Sequence, residues 1–229
     1  MKSNKKISVI MSAYNSEDSV ENSITSILNQ TYEDLELLIM DDASTDNTFK
    51  ICESLKNKDQ RIKLYKNKSN LGLTKSLNKL ISLSSGEIIA RQDSDDISKK
   101  ERIEKQLKFL EENNLDACTS RAKIMYSQKI TPRFSLLLPK KLVIKYKNPF
   151  IHGTLFIKKN VLIENNSYDE RFVYSQDYKL MADLIKKNKK ILIMNENLYS
   201  LNMENNISTL KAKEQNYYAK CVRKNISPI

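Results

Sequence analysis

The chain has 229 residues, of which 29 % are charged and 40 % hydrophobic, and its formal net charge is +11. This composition excludes an intrinsically disordered chain, and no apolar run approaches the roughly 20 residues that cross a bilayer. The three cysteines form no CxxC pair, which argues against a zinc cage or a disulfide framework. The apolar run Ile7–Met11 is too short for a signal-peptide core, so we expect a cytoplasmic protein.

The N-terminal part of the chain alternates between short apolar runs and amphipathic stripes. Apolar runs predict strands over Ile7–Met11, Leu35–Met40, Ile62–Tyr65 and Glu87–Arg91. Stripes at helical spacing predict helices over Val20–Leu28, Asp46–Asn57, Leu73–Ile81 and Lys99–Asn113. Strands alternating with helices predict an α/β fold, in which a mostly parallel central sheet is flanked by helices.

The second half of the chain has a less regular pattern. Asp116–Tyr126 and Ile130–Leu138 are predicted as strands or irregular loops. Further along, the pattern predicts a short helix over Lys140–Lys147, a strand over Ile151–Ile157, a helix over Gln176–Lys187, a strand over Ile191–Met194 and a helix near Ala212–Val222. We find no internal repeat and no linker. We therefore predict a single domain, residues 1–229, with one half over about 1–98 and a smaller mixed half over about 99–229.

Glycine is scarce in this chain. The three glycines are Gly72, Gly86 and Gly153. Neither a GxGxxG dinucleotide loop nor a GxxxxGK phosphate loop can be built from them. If the protein binds a nucleotide, it must use another device.

Three carboxylates, Asp93, Asp95 and Asp96, follow the apolar run Ile88–Ala90 within a few residues. Like charges this close raise one another's pKa unless a cation or strong donors lie among them. A hard divalent metal, which prefers oxygen ligands, is the candidate counter-ion. The alternative is a simple turn with a helix cap, because Asp and Ser favour both.

Polar residues also follow two other predicted strands. Ser12–Asn15 comes after the first strand, and Asp41–Asp42 comes after the second, where the alternative is again a capped turn. Ligands of parallel α/β sheets bind beyond the carboxyl ends of the strands. Three polar motifs at equivalent strand ends therefore favour a binding site there over three unrelated surface loops.

Two further side chains are candidates for a site. His152 is the only histidine, and a lone histidine is more often structural than functional, but its position at a predicted strand entrance allows it to face a cleft. Asp177 in the first turn of a helix stabilises the helix dipole. Its spacing from Leu180 and Met181 also places it along the inward stripe, where a carboxylate is either paired or functional.

In their order and spacing, these motifs resemble the inverting family 2 glycosyltransferases, which have the Rossmann-like GT-A (nucleotide-diphospho-sugar transferase) fold. The matching segments are Val9–Asn15, Ser26–Tyr32, Leu38–Asp46, Asn70–Leu73, Ala90–Ile97, His152–Thr154 and Gln176–Tyr178. Each segment is a weak signal alone, whereas their succession is specific. The resemblance implies a nucleotide-sugar-binding half followed by an acceptor-binding half.

The resemblance implies roles for the residues at the ends of the early strands. Ser12, Ala13 and Tyr14 would line the nucleobase pocket, and Asp42 would hold the base. Asp93 would meet the ribose or the metal shell. These positions form the expected nucleotide-sugar site.

The resemblance also implies the metal ligand and the catalytic base. Asp95 would bind Mn²⁺ or Mg²⁺ directly, with Asp96 as the competing assignment, and His152 would be a weaker second metal contact. Asp177 stands where the family places its catalytic base. Its neighbour Gln176 replaces the usual acidic residue, so the acceptor half departs from the family pattern and leaves the acceptor open.

The expected reaction is a metal-dependent, inverting transfer of a sugar from a nucleotide-diphospho-sugar to a hydroxyl group. A divalent cation would neutralise the departing phosphate, and a carboxylate base would take the hydroxyl proton. A UDP-sugar is the expected donor. The expected acceptor is a glycan or a lipid-linked molecule, as in surface polysaccharide or lipooligosaccharide synthesis.

Two other functions are weighed against this one. A basic module could bind polyanions without catalysis, and its binding would be salt-sensitive and metal-independent. An Asp-based phosphoryl-transfer enzyme would want its acidic motif at the first strand, whereas Asp93–Asp96 follows the fourth. We expect no nucleic-acid partner, and the excess of lysine is compatible with peripheral contact with the inner face of an anionic membrane.

Overall fold

The computed structural model describes residues 5–204 and 210–229, and the strands in these ranges form one nine-stranded sheet. Its first four strands are β1 (Ile7–Ala13), β2 (Leu35–Asp41), β3 (Ile62–Lys66) and β4 (Ile88–Arg91). They are parallel and lie in the order β3-β2-β1-β4. The predicted parallel sheet is therefore confirmed for the first half of the chain.

Helices connect these strands and cover both faces of the sheet. They are α1 (Val20–Leu28), α2 (Thr48–Lys56) and α3 (Leu73–Leu83), with α4 (Arg102–Glu112) after β4. Because successive side chains of a strand point to opposite faces, Val9 packs with the apolar sides of α1, α2 and α4, whereas Ile10 packs with α3. Two apolar cores result, one on each face of the sheet.

The second half extends the same sheet with mixed strand directions. Its elements are β5 (Ile97–Ser98), β6 (Ala117–Ile124), β7 (Ile130–Thr131), α5 (Lys140–Val143), β8 (Phe156–Lys158), α6 (Lys159–Glu164), α7 (Gln176–Lys186), β9 (Ile191–Leu201) and α8 (Ala212–Lys224). The sheet continues from β4 in the order β8-β6-β9-β5, and β7 pairs with β6. Only the β6–β9 pair is parallel here. The predicted α/β class is confirmed, and the division into two functional halves stays a prediction.

The predicted strand over Ile151–Ile157 is wrong in its first part. A 3-10 turn occupies His152–Thr154, and only Phe156–Lys158 is a strand. The Thr154 hydroxyl and its backbone N–H both donate to the Ile151 carbonyl. Such a local side-chain bond competes with the strand conformation.

Several other boundaries differ from the prediction. Strand β9 continues to Leu201 instead of ending at Met194, and α5 ends at Val143, beyond which single hydrogen-bonded turns reach Lys147. Strand β5 and helix α6 were not predicted. Both are too short to produce a periodic signal.

The strand order places a topological switch beside β1. The chain passes from β1 to β2 on one side and returns to β4 on the other. Crevices at such a reversal, beyond the carboxyl ends of the strands, are where α/β folds bind ligands. Within the part of the chain that the structure describes, no helix is long and apolar enough to cross a membrane.

Candidate active site

The end of β1 borders the crevice at this switch point. Ala13 is buried, Ser12 is half-buried, and the Tyr14 side chain is 47 % exposed. An exposed aromatic ring can stack on any planar base. The three residues predicted for the nucleobase pocket therefore form a continuous strand end with its aromatic ring accessible.

The loops after β1 and β2 are hydrogen-bonded to each other. The Asn15 side chain accepts the backbone N–H of Thr45 at 2.9 Å, and the Asn15 N–H donates to the Ser44 hydroxyl at 3.1 Å. Glu17 accepts both the backbone and the side-chain N–H of Asn47. The polar motif after β2 therefore connects the two loops that form the rim of the crevice.

Asp42 lies buried behind this rim and holds the loop between β3 and α3. Its Oδ1 accepts the Asn67 amide at 2.7 Å and the Leu71 N–H at 2.9 Å, and its Oδ2 accepts the Gly72 N–H at 2.8 Å. An ionised carboxylate has about four acceptor positions. Three are used inside the protein, so one remains for a ligand.

The neighbouring Asp41 is less completely satisfied. Its Oδ2 accepts the Ser44 N–H at 3.3 Å and lies 4.0 Å from the Lys66 ammonium. Its Oδ1 is buried, and among the described residues no hydrogen-bond donor reaches it. Buried oxygens are normally paired. Of the two neighbouring aspartates, Asp41 is therefore the one with a carboxylate oxygen, Oδ1, that lacks a hydrogen-bond donor.

The acidic cluster after β4 carries more negative charge than the protein balances. Burial and the nearby Asp93 raise the pKa of Asp95 from 3.8 to about 6. Burial, Asp93 and Asp95 raise the pKa of Asp96 to about 8, although Asp96 accepts the Asn202 N–H at 2.6 Å. Among the described residues, no other residue donates a hydrogen bond to the Asp95 carboxylate or forms an ion pair with it, and only its own backbone N–H acts on it. Asp95 is therefore the member of the cluster free to bind a cation.

Asp93 is held in place by groups that the motif did not indicate. Its Oδ1 pairs with the buried guanidinium of Arg91, and its backbone N–H donates to the Tyr199 hydroxyl at 3.1 Å. A Cβ at Gly153 would lie 2.5 Å from that hydroxyl and 2.7 Å from Asp93 Oδ2. The lack of a side chain at Gly153 is what allows the two halves to meet here.

A second buried arginine, Arg102, contacts the junction at which Asp93 and Gly153 meet. Arg102 Nη1 donates to the backbone carbonyls of Arg91 and Gly153, each at 3.0 Å. Its guanidinium lies over the Tyr199 ring, with 5.3 Å to the centroid, and burial lowers the pKa of Arg102 to about 10. The charge inside the apolar run at Arg91 was a usable sequence signal, whereas nothing in the sequence pointed to Tyr199.

His152 lies between the acidic cluster and the start of α7. Its Nε2 is 2.7 Å from the Tyr168 hydroxyl, and the two rings meet edge to face. Burial and the positive charge of Arg91 lower the pKa of His152, while Asp177 and Asp93 act in the opposite direction. The same two carboxylates act on Tyr168. The structure therefore brings Asp93 and Asp177, distant in sequence, around one histidine–tyrosine pair.

Asp177 is half-buried in the first turn of α7. Its Oδ2 accepts the Asn148 amide at 2.8 Å. Asp177 and His152 line the same small cavity, with a volume of about 10 Å³. This is room for about one water, so a sugar would have to lie beside this gap rather than in it.

Helix α8 fixes the entry to α7 and hence the position of Asp177. Ser175, which precedes α7, has a left-handed backbone with φ 53°. Its N–H and hydroxyl both bond to Gln215 of α8. The predicted C-terminal helix therefore supports the candidate site. Nothing in the sequence of this helix suggested that role.

The cluster fits a hard cation with few protein ligands. The described residues contain no group of three His, Cys, Asp or Glu side chains that could hold a metal ion alone. Mg²⁺ is commonly held by one or two carboxylates together with substrate phosphates. The unengaged carboxylate of Asp95, beside Asp93, supplies that kind of ligand, whereas the Nε2 of His152 is already bonded to Tyr168.

A larger cleft of about 730 Å³ lies elsewhere, between residues 165–171 and one side of α7. Both acidic and basic side chains line it. It borders the surroundings of His152 through Tyr168, which is hydrogen-bonded to His152, and through Leu180, which also lines the small cavity beside His152. None of the predicted site residues lies in this cleft, so its size does not identify it as the active site.

Residues 8–181 match the family model described as glycosyl transferase family 2. An uncharacterised glycosyltransferase of Haemophilus influenzae is 35 % identical over 192 residues, covering 78 % of this chain and 59 % of the relative. A UDP-Glc:alpha-D-GlcNAc-diphosphoundecaprenol beta-1,3-glucosyltransferase of Escherichia coli is 34 % identical over 185 residues, covering 80 % and 70 %. The chain spans under two thirds of the length of the Haemophilus relative and of a putative glycosyltransferase of Bacillus subtilis.

Solved structures share the fold at lower sequence identity. S. aureus TarS 1-349 in complex with UDP-GlcNAc has a TM-score of 0.75 and 23 % identity, covering 88 % of this chain and 59 % of that one. The mannosyltransferase PcManGT from Pyrobaculum calidifontis, in complex with GDP-Man and Mn²⁺, has a TM-score of 0.79 and 18 % identity, covering 99 % and 66 %. These likenesses confirm the predicted fold class.

Proposed function

The chain belongs to glycosyl transferase family 2, and from this membership we propose that it transfers a hexosyl group, with inversion, from a UDP-sugar to a hydroxyl of a glycan or lipid-linked acceptor. The observation that carries the proposal is the unengaged, partly buried carboxylate of Asp95 in the acidic cluster at the switch point. A carboxylate with a raised pKa that lies in a crevice without an ion-pair partner marks a candidate ligand site.

We propose that the donor lies along the ends of β1, β2 and β4. The base would lie against Ser12, Ala13 and Tyr14 and take the remaining acceptor position of Asp42. Asp93, fixed by its pair with Arg91, would meet the ribose. This arrangement does without a glycine-rich phosphate loop.

Asp95 would hold Mn²⁺ or Mg²⁺, with His152 as a weaker contact, and the ion would supply charge neutralisation at the diphosphate. Asp177 would accept the proton of the acceptor hydroxyl as its oxygen bonds to the anomeric carbon. The bond from that carbon to the diphosphate breaks, and the nucleotide leaves with the electron pair. Attack from the opposite face inverts the configuration.

Two relatives support the acceptor and donor classes. The name of the Escherichia coli relative specifies a UDP-sugar donor and a diphosphoundecaprenol-linked acceptor. Another relative in the same species is an O-antigen biosynthesis glycosyltransferase, 34 % identical over 188 residues. Family membership also favours sugar transfer over the polyanion-binding and phosphoryl-transfer alternatives.

The test is thermal unfolding with UDP, GDP or dTDP, each with and without Mn²⁺. A ligand at 100 times its dissociation constant adds about 2.7 kcal/mol to the free energy of unfolding. We expect a metal-dependent shift that is largest with UDP. If no nucleotide shifts the transition in the presence of metal, the donor site is not where we place it.

A further inference from the structure

The positive charge of this protein is concentrated in one stretch of chain. Residues 117–163 contain ten Lys and Arg and no Asp or Glu, whereas the rest of the chain has 29 cationic and 28 anionic side chains. The net charge therefore belongs almost wholly to this stretch. A local excess of this size points to an anionic partner at a defined surface.

The most exposed part of this stretch is residues 137–147, here called the 137–147 surface. Backbone hydrogen bonds from Ile144 to Lys140 and from Lys147 to Val143 continue the helical winding beyond α5. Val143 and Ile144 are buried. The opposite side of these helical turns therefore faces solvent.

That outward side is apolar. Leu142 and Tyr146 recur at the helical spacing of four and are 56 % and 76 % exposed, and Leu137 and Leu138, which precede Pro139 at the start of α5, are 82 % and 52 % exposed. Exposed apolar side chains are common singly, but a contiguous group marks an interaction site.

Lysines flank the apolar group. Lys141, Lys145 and Lys147 are all exposed. Arg223 of α8 is exposed as well, and it donates to the Tyr146 carbonyl at 3.5 Å. The 137–147 surface therefore combines an apolar centre with a cationic border.

We propose that the 137–147 surface docks onto the surface of an anionic lipid bilayer. The leucines and Tyr146 would enter the boundary between head groups and acyl chains, where amphipathic aromatic rings are favoured. The lysines would reach the anionic head groups, each strengthening binding by about fivefold.

The charge of the 137–147 surface favours a bilayer over a second copy of the chain as its partner. A two-fold dimer through the 137–147 surface would place its lysines opposite the same lysines of the partner. The centres of protein interfaces are also poor in lysine. A bilayer with anionic lipids satisfies both the apolar and the cationic groups of the surface.

Docking here would orient the candidate active site. Asn148, which directly follows the 137–147 surface, donates to Asp177, and the Tyr178 hydroxyl donates to the Ile144 carbonyl at 2.6 Å. The proposed base is thus tied to the docking segment, beside lipid-linked acceptors. This consequence rests on the proposed function, whereas bilayer binding itself is measured without donor or acceptor and stands or falls alone.

The absence of tryptophan gives a site-specific probe. In Tyr146→Trp, we expect emission to shift to shorter wavelength, with quenching by brominated lipid, on vesicles of equal parts phosphatidylcholine and phosphatidylglycerol. The control is Phe49→Trp, on α2 across the sheet, which should not respond. An unshifted spectrum in the first variant, or equal shifts in both, overturns the proposal.

Matched variants test the two parts of the surface by vesicle co-sedimentation. Lys145→Glu with Lys147→Glu should weaken binding at least about tenfold, whereas Lys56→Glu with Lys58→Glu, which change the net charge equally, should weaken it far less. Leu142→Ser with Tyr146→Ser should also weaken binding, unlike Leu83→Ser with Ile163→Ser at similarly exposed positions. Thermal unfolding shows that each variant is folded.

Three results would overturn the proposal. Equal losses in both lysine pairs would mean non-specific attraction of a basic protein. Equal binding to pure phosphatidylcholine would mean that anionic lipid is not recognised. A dimer in sedimentation velocity that Leu142→Ser with Tyr146→Ser dissociates, without vesicle binding, would assign the surface to a second copy.

Discussion

The four parallel strands β1 to β4 and the mixed strands beyond them contribute to the candidate site in different ways. In the parallel part, each polar motif directly follows a strand, so the strand order alone brings the motifs to one edge. In the mixed part, the site residues come from a 3-10 turn, a loop and the first turn of a helix. The proposed donor side is thus built from residues with a local sequence pattern, and the proposed acceptor side from long-range contacts.

The largest expected effect is a loss of transfer rate without a loss of nucleotide binding. Asp177→Asn should lower transfer from a UDP-sugar by about 10² to 10⁴, the contribution of a general base, and leave the metal-dependent nucleotide shift unchanged. The assay is transfer of labelled sugar to a glycan or lipid-linked acceptor. Asp183→Asn, on the same helix and paired with Lys179, is the control that should keep the rate. Full activity of Asp177→Asn would show that the base lies elsewhere.

The proposed donor side should lose stability as pH rises, whereas the lowered pKa of His152 acts in the opposite direction. The folded-state pKa values of Asp95 and Asp96, about 6 and about 8, exceed the ordinary 3.8, so the folded chain binds more protons than the unfolded chain between pH 4 and 8. The free energy of unfolding should therefore fall as pH rises through this range.

Asp95→Asn should flatten part of this fall. It should raise the free energy of unfolding at pH 7 by roughly 3 kcal/mol, at about 1.4 kcal/mol per pKa unit for the shift from 3.8 to about 6, and should remove the metal-dependent nucleotide shift. Urea unfolding across pH measures the first effect, and thermal unfolding with UDP and Mn²⁺ the second. The exposed Asp18→Asn serves as control, and an unchanged pH profile in Asp95→Asn would refute the electrostatic account.

The junction between the two sides can be tested with a pair of glycines. Gly153→Ala should lower the free energy of unfolding by about 1–3 kcal/mol through overpacking, because a Cβ there meets Tyr199 and Asp93. Gly72→Ala has open space around the Cβ and should cost only backbone strain, about 1–3 kcal/mol, because its φ of +84° with ψ of 162° lies in a region that essentially only glycine adopts. Denaturant unfolding compares the two. An effect below about 1 kcal/mol at Gly153 would mean that the junction is looser than the structure indicates.

The smallest expected effect concerns the hydrogen bond that links His152 to Tyr168. Tyr168→Phe removes it and should lower the free energy of unfolding by about 1 kcal/mol. Tyr126→Phe, at a 90 % exposed position, should have no measurable effect. Equal stability of the two variants in denaturant unfolding would show that the bond between His152 and Tyr168 does not stabilise the site.

The sequence determined the elements whose signals are local. Apolar runs and helical stripes located β1 to β4 and α1 to α4, and the motifs after the strands indicated the family. Asp95 was predicted as the metal ligand by position in a motif, and the structure adds that no other described residue hydrogen-bonds to its carboxylate. Its role stays a prediction.

Only the tertiary structure decided which of these groups are already used and what holds the rest. Arg91, Tyr199 and Gly153 meet Asp93 from three separate segments, and Gln215 of α8 fixes the turn before Asp177. Likewise, the exposed side of the 137–147 surface follows from burial of Val143 and Ile144. Periodicity records which residues are buried along one segment, but partners distant in sequence leave no periodic trace because their contacts form only when the sheet is assembled.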